Sequence, residues 1–580
     1  MKKLLKHLSK YKKECVLGPL FKLLEACFDL LVPVIMIYLI DNGIKQNNLT
    51  IILQMGGILV LLAIVGFVCC VIAQYFAAKA ATGFASSVRE ELYEKMSKLS
   101  FSSLDKLGQS TLMTRLTSDI QTMQNGINLF LRLFLRSPFI ILGASVMASI
   151  VSKSYIIALI FAGVVILAFA LVFFIMLWTI PKYKKVQSEV DEVVKSTREN
   201  LTGVRVIRAF SKEQKEIEKY DFKTDHLAKT QNKVAIISNA LNPIAYVIVN
   251  LSIAGLLYFG AKYIDEGILL QGVIISIVNY MTQIVVELIK LANFIIQVTK
   301  AIASGDRIQA MIDLTDDPML LNNNVDEHID SPYICYKNVN FSYFKNGDNA
   351  LNDINLAINK GEIIGVIGGT GSGKSTLVNL LSGFYLPTSG ELIIDGKHIE
   401  NYSRKEIRNK TTIILQKAQL FKGTIRDNMK VGNEEASDEQ IFEALRKSQS
   451  EEFVLTKKGQ LDYQIEQGAR NLSGGQRQRL SIARGLLSNG DILVFDDSSS
   501  ALDYATEAKL RKEIFSLKDK TIFIVSQRSS TVRNANKIIV IDHGMIVGFD
   551  NHDNLMKNCP IYQEIVLSQN KEVNENGKEE

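Results

Sequence analysis

Two patterns divide this chain. Up to about residue 315, long apolar runs follow one another. From about 331 onward, short apolar runs separated by polar segments read as a soluble α/β protein. A bilayer core of about 30 Å takes about 20 apolar residues in a helix. Six segments reach that length, roughly 16–40, 52–78, 130–150, 155–179, 236–261 and 268–292. The plainest is Tyr155 to Ile180, 26 residues without a charge. One such run could be a buried core helix, but six in succession predict a membrane domain. The first is too long, and too interrupted by charge, for a cleaved signal peptide.

Lysine and arginine orient the spans. Segment 181–235 holds thirteen of them, and 89–126 holds Arg89, Lys95, Lys98, Lys106 and Arg115; the other loops carry Lys45, Lys153 and Lys262. Positive loops stay in the cytoplasm. Both long loops and the N-terminus are therefore expected there, and six spans return the C-terminal half to the same side. The cationic stretch 1–13 reads as an interfacial helix. Good helix formers continue past the second span, so a helix over about 52–98 is expected, roughly 70 Å long. Short connecting helices are expected at the cytoplasmic tips, near 101–110 and 200–212. The chain then divides into a membrane domain over 1–315, a polar linker over 316–330, an α/β domain over 331–568 and a charged, flexible tail over 569–580.

Composition adds little. A net charge of +6 over 580 residues is too small to argue for nucleic acid. The six cysteines show no zinc-ligand spacing, and Cys69 and Cys70 lie inside an apolar run.

The chemistry lies in the second half. Gly368-Gly369-Thr370-Gly371-Ser372-Gly373-Lys374-Ser375 is a phosphate loop, placed between the strand-like run Ile363–Ile367 and a helical run from Thr376. Its glycines let the backbone wrap a phosphate, and the following helix N-terminus adds donors and positive potential. Lys374 would reach the β- and γ-phosphates, and Ser375 would ligate Mg²⁺. A second apolar strand, Ile492–Phe495, ends on Asp496. Ligands bind at that end of an open α/β sheet, and Asp496 would hold Mg²⁺. Between them lie Leu472-Ser473-Gly474-Gly475-Gln476, where Ser473 and Gly475 open a helix and can turn N–H groups to a γ-phosphate.

The order of phosphate loop, LSGGQ and aspartate-ending strand, after six spans, resembles the ATP-binding cassette (ABC) exporters over roughly residues 10–568. The resemblance implies a six-helix all-α membrane domain with long cytoplasmic extensions, then an α/β P-loop cassette with a helical subdomain around 420–490. It implies ATP and Mg²⁺ as cofactors, a second half-transporter chain as partner, the lipid bilayer as setting and no nucleic acid. It places Tyr343 against adenine, with Thr376 closing the phosphate loop. Gln416 becomes the glutamine that contacts Mg²⁺, and Ser500 to Asp503 the loop after the catalytic strand. Phe101–Leu107 and Arg208–Phe210 fall where the family couples its two halves.

Two positions depart from the family. Asp497 stands where the family has the glutamate that polarises the attacking water, and Gln527 where it has a histidine. Aspartate is shorter by one methylene, and a displacement of about 1 Å can cost about 10²-fold in rate. Glutamine bonds a phosphate oxygen but carries no positive charge. Both departures fall on the phosphate-loop side, while LSGGQ is intact. That asymmetry resembles the degenerate-site subunit of a heterodimeric bacterial multidrug exporter, in the plasma membrane and with cytoplasmic termini. The expected activity is ATP-driven export of lipophilic or amphiphilic compounds, with slow hydrolysis at this chain's own site. A lipid or lipopeptide flippase and a non-transporting ATP-binding regulator fit the same residues. Charges in or near the spans are Glu25, Asp29, Arg132, Arg136, Glu287 and Lys290. Glu25 and Asp29, four apart on one helix face, could attract a cationic cargo, and pairing with Arg132 or Arg136 accounts for them equally well.

Overall fold

A computed structural model describes residues 3–152, 155–266, 269–320, 328–344 and 347–576. The chain folds as two compact units, one of Met1–Lys95 with Ser110–Leu314, the other of Met96–Gln109 with Thr315–Glu580.

Helices build the first unit: α1 (Lys12–Tyr38), α2 (Leu49–Lys98), then beyond the short α3 (Phe101–Leu107) α4 (Gln109–Thr114), α5 (Ile120–Leu133), α6 (Arg136–Ser152), α7 (Tyr155–Thr202), α8 (Val204–Ala209), α9 (Glu213–Asp265) and α10 (Gln271–Ile312). Among the described residues, five stretches are long and apolar enough to cross a membrane: Leu4–Ile44, Leu49–Lys98, Gln109–Ser152, Tyr246–Asp265 and Gln271–Ile312. The span expected over 155–179 falls on α7, where many side chains lie outside the described residues. The helix expected over 52–98 is α2, and the short helices expected at the tips are α3 and α8. The opening stretch forms a 3₁₀ helix, Leu4–Tyr11. It is pinned by ion pairs from Lys6 to Glu91 and from Lys3 to Asp313.

Proline explains how α10 meets α1. Pro33 has no N–H, so the Asp29 carbonyl one turn earlier loses its helical partner. The Gln283 amide donates to that carbonyl at 3.3 Å. Ser276 and Tyr280 donate to the Pro33 and Leu30 carbonyls, at 2.5 and 2.7 Å. These donors stand on α10 beside the buried Ile277, Met281, Ile284 and Leu288, one stripe of a helix period.

The second unit is layered. One sheet orders β2 (Leu351–Ile358), β1 (Ile334–Phe341), β4 (Ser389–Ile394) and β5 (Lys397–His398), all antiparallel. The other places β6 (Thr411–Ile414), β9 (Ile492–Asp496), β10 (Thr521–Val525), β3 (Ile363–Ile367) and β11 (Lys537–Asp542) side by side and parallel. The antiparallel β12 (Met545–Asp550) closes one edge. β9 and β10 are buried along their whole length, as parallel strands covered on both faces must be. Helices α11 (Lys374–Leu381), α12 (Arg404–Lys410), α17 (Tyr504–Phe515), α18 (Ser529–Val532), α19 (His552–Asn558) and α20 (Pro560–Asn576) surround them. A separate apolar cluster gathers α13 (Ile425–Lys430), α14 (Asp438–Lys447), α15 (Glu451–Thr456), α16 (Gly474–Leu486) and the two-residue strands β7 (Gly423–Thr424) and β8 (Gln464–Ile465). It is the helical subdomain that the resemblance implies around 420–490.

Residues 96–109 belong to this second unit through specific contacts. Phe101 lies 4.6 Å from the Phe384 ring, and the Arg408 guanidinium lies 4.3 Å from that ring. Burial pulls the Arg408 pKa down to about 10. Tyr385 donates to Asp105 at 2.5 Å. Arg404 donates to the Ser97 and Leu99 carbonyls, at 3.0 and 3.2 Å, and pairs with Asp317 at 2.5 Å. A guanidinium thus satisfies carbonyls at the C-terminal end of α2 that the helix itself leaves open. Asp317 and Met319, in the stretch expected as a linker, are buried; 321–327 lies outside the described residues. Arg404→Ala removes the guanidinium from the buried Asp317 carboxylate and leaves it the Met319 N–H, at 3.1 Å. We expect a loss of about 1–3 kcal/mol, read as a lower melting temperature of the cassette.

Candidate functional site

The strand order β9–β10–β3 sets three loops side by side at the carboxyl edge of the sheet. The phosphate loop leaves β3, Asp496 and Asp497 end β9, and Ser526 and Gln527 follow β10. Ladder bonds continue past the strands: Asp497 N–H donates to the Val525 carbonyl at 3.0 Å and Ser526 N–H to the Val366 carbonyl at 3.1 Å.

Glycine is required at two places in the loop. A Cβ on Gly368 would stand 2.0 Å from the Ile541 carbonyl oxygen. Gly373, at φ +106°, caps α11, and a Cβ there would stand 2.8 Å from the Ala350 oxygen. Lys374 follows at the start of α11, only 9% exposed. Its ammonium donates to the Gly368 and Gly369 carbonyls at 3.0 and 2.6 Å, so the loop is drawn around its own lysine. Burial lowers the Lys374 pKa, with Asp497 and Asp496 opposing the shift.

Ser375 Oγ donates to Asp496 Oδ1 at 2.8 Å. A hydroxyl and a buried carboxylate side by side are hard oxygen donors, the set that suits Mg²⁺. Burial raises the Asp496 pKa, and the Ser375 bond works against it. These two residues would hold the ion, which supplies charge neutralisation at the phosphates when bound. Gln416 Nε2 donates to Asp497 Oδ2 at 3.1 Å. Burial also raises the Asp497 pKa, moderated first by that bond and then by Lys374 and Arg528. The Asp497 backbone adopts φ +44°, in the left-handed region. Gln527 is exposed.

Tyr343 meets Phe341 and Tyr385 edge-on, with centroids at 4.8 and 5.2 Å. Its hydroxyl lies 3.1 Å from Thr376 Oγ1, which ties the aromatic to the helix carrying the phosphate loop. Thr370, Gly371 and Ser372 complete the loop, and among the described residues the buried Ser372 hydroxyl has no hydrogen-bond partner.

Ser473 to Gln476 stand elsewhere. Ser473 caps α16: its Oγ accepts from Gln476 N–H at 3.2 Å, while Gln476 Oε1 accepts from Ser473 N–H at 3.0 Å. Ser473 and Gly474 are exposed, and Gly475 packs near the Ala501 carbonyl. Among the described residues no hydrogen bond or ion pair joins this helix start to the phosphate loop of the same chain. Asp503 caps α17 by accepting from Thr506 N–H at 2.9 Å.

One feature was not anticipated from sequence. Glu507, 4% exposed, accepts from Arg528 at 2.7 Å and from Thr531 at 2.6 Å, fixing the segment after β10. In the first unit, the span charges form one network. Arg136 reaches Glu287 at 2.6 Å, Asp29 at 3.0 Å and Glu25 at 3.7 Å. Lys22, passed over in the sequence reading, pairs with Glu25 at 2.5 Å, and Lys290 pairs with Glu287 at 2.8 Å. Among the described residues, Arg132 forms no ion pair with this network, and its Nε is buried without a hydrogen-bond partner. Asp29, Met36, Gln283 and Val286 help line a cavity of about 570 Å³ next to this network.

A parallel-sheet nucleotide cassette joined to helices long and apolar enough to span a bilayer defines an ATP-coupled membrane transporter. The ABC transporter transmembrane region matches residues 15–288, and the ABC transporter domain matches 351–500. The uncharacterized ABC transporter ATP-binding protein YfiB of Bacillus subtilis is 30% identical, with 98% of each chain covered. YgaD of the same organism, named as a candidate multidrug export ATP-binding/permease protein, is 29% identical over 98% of this chain and 99% of its own. A solved bacterial Atm1-family ABC exporter with ATP bound shares the fold, with TM-score 0.77 and 21% identity, over 96% of this chain and 98% of that one. The chain belongs to the ABC transporter family, as a half-transporter whose transmembrane domain is fused to its cassette.

Proposed function

We propose that the chain exports lipophilic or amphiphilic compounds across the plasma membrane as one subunit of a heterodimer. Its own phosphate-loop site hydrolyses ATP slowly and serves mainly as a clamp. Its Ser473–Gln476 complete the partner's site, where hydrolysis is fast. The observation that carries this reading is the pairing of a shortened carboxylate, Asp497, with Gln527 at one site, while an intact LSGGQ opens α16 with Ser473 and Gly474 exposed. Asp497 takes a hydrogen bond from Gln416, and its short side chain leaves the site without a longer carboxylate to ready water. A multidrug exporter among the candidate functions of relatives supports the cargo class, as does a cavity with both apolar and charged walls. The positive loops support cytoplasmic termini.

The test is ATP turnover by this chain alone and with a half-transporter encoded beside it that carries the missing glutamate and histidine. Turnover alone is expected to be slow and to rise on pairing. In the pair, Lys374→Ala on this chain spares most of the turnover, whereas Ser473→Arg abolishes it. Rapid turnover alone, with no gain from a partner, overturns the heterodimer.

A further inference from the structure

The segment after β10 is gripped from two sides. From α17, Glu507 holds Arg528 and Thr531, and Arg511 donates to the Ser530 carbonyl at 2.7 Å. The opposite grip comes from a single side chain of the C-terminal helix. Gln569 Oε1 accepts from Ser529 N–H and from Ser529 Oγ, both at 2.8 Å. Gln569 Nε2 donates to the Gln527 carbonyl at 2.7 Å. The two donors on one side and the acceptor on the other fix which way the amide faces.

Packing sets this contact. On α20, Tyr562 and Val566 are buried in the cluster that also holds Val532, Ile538 and Val540. Gln569 stands seven residues after Tyr562 and three after Val566, on the same face. The apolar stripe that docks the helix therefore ends in an amide aimed at the backbone of Gln527. The tail expected to begin at 569 is helical as far as Asn576, and its first residue is engaged three times.

We propose that Gln569 is a positioning residue of the nucleotide site: it fixes the Gln527 backbone so that the Gln527 amide faces a γ-phosphate. The C-terminal helix thereby sets how well this chain tells a triphosphate from a diphosphate. The proposal rests on Gln527 as the γ-phosphate contact and is independent of the heterodimer.

Gln569→Glu is the informative change. It is isosteric and still accepts from Ser529, but it sets a carboxylate against the Gln527 carbonyl. The measurement is the affinity of the full-length chain, in lipid nanodiscs with Mg²⁺, for AMP-PNP and for ADP. Gln527→Ala is expected to lower the preference for AMP-PNP. Gln569→Glu is expected to lower it about three- to tenfold, the worth of one hydrogen bond, with ADP affinity held. The double variant falls no further than Gln527→Ala. If Gln527→Ala lowers the preference but Gln569→Glu leaves it unchanged, weakens both nucleotides equally, or adds its full effect in the double variant, the positioning role is overturned. A preference unmoved by Gln527→Ala overturns the γ-phosphate contact, and the proposal with it.

Discussion

Asp497→Glu combined with Gln527→His raises ATP turnover by this chain alone about 10²-fold. The argument is one of reach. In the wild type the Asp497 carboxylate accepts from Gln416 Nε2 at 3.1 Å, just beyond a buried strand whose ladder continues through the Asp497 N–H. One added methylene carries the carboxylate toward the phosphate loop by on the order of 1 Å, the scale on which a general base gains or loses its water. The imidazole adds a charged donor that glutamine lacks. Phosphate release, with Lys374→Ala as the blank, measures the gain. A double variant no faster than the wild type, or a wild type already fast, removes the idea that these two residues set the rate.

The second large effect is on stability. Arg136→Met is expected to cost about 3–5 kcal/mol, because it leaves Glu287 buried without its guanidinium. Glu287 is 3% exposed, and Ser137 and Lys290 are its remaining partners, at 2.8 Å each. A melting curve in detergent would show the loss. Adding Glu287→Met to the variant recovers part of it, since the stranded charge is then gone. Full additivity of the two changes would mean that the ion pair is not the coupling between α6 and α10.

Much of this was legible in the chain. A 26-residue uncharged run and a phosphate loop between strand and helix are local statements, and local physics settles them. That Ser473 and Gly475 open a helix was likewise legible in the run itself. What could not be read depends on which residues of distant elements come into register. Glu25 and Asp29 announced a charged helix face, but that Lys22 takes Glu25 while Arg136 takes Asp29 and Glu287 depends on how α1, α6 and α10 pack. Arg404 carries no sequence mark of its hold on the end of α2. Gln569 left a faint signal, an amide continuing an apolar stripe, which becomes meaningful only beside Gln527.

The left-handed backbone at Asp497 bears on how such a subunit arises. Short acidic side chains settle at a positive φ more readily than longer ones. Under the proposed division of labour, a lineage that shortens this residue relaxes its main chain as it gives up chemistry, and the return to glutamate runs against conformational preference like a ratchet.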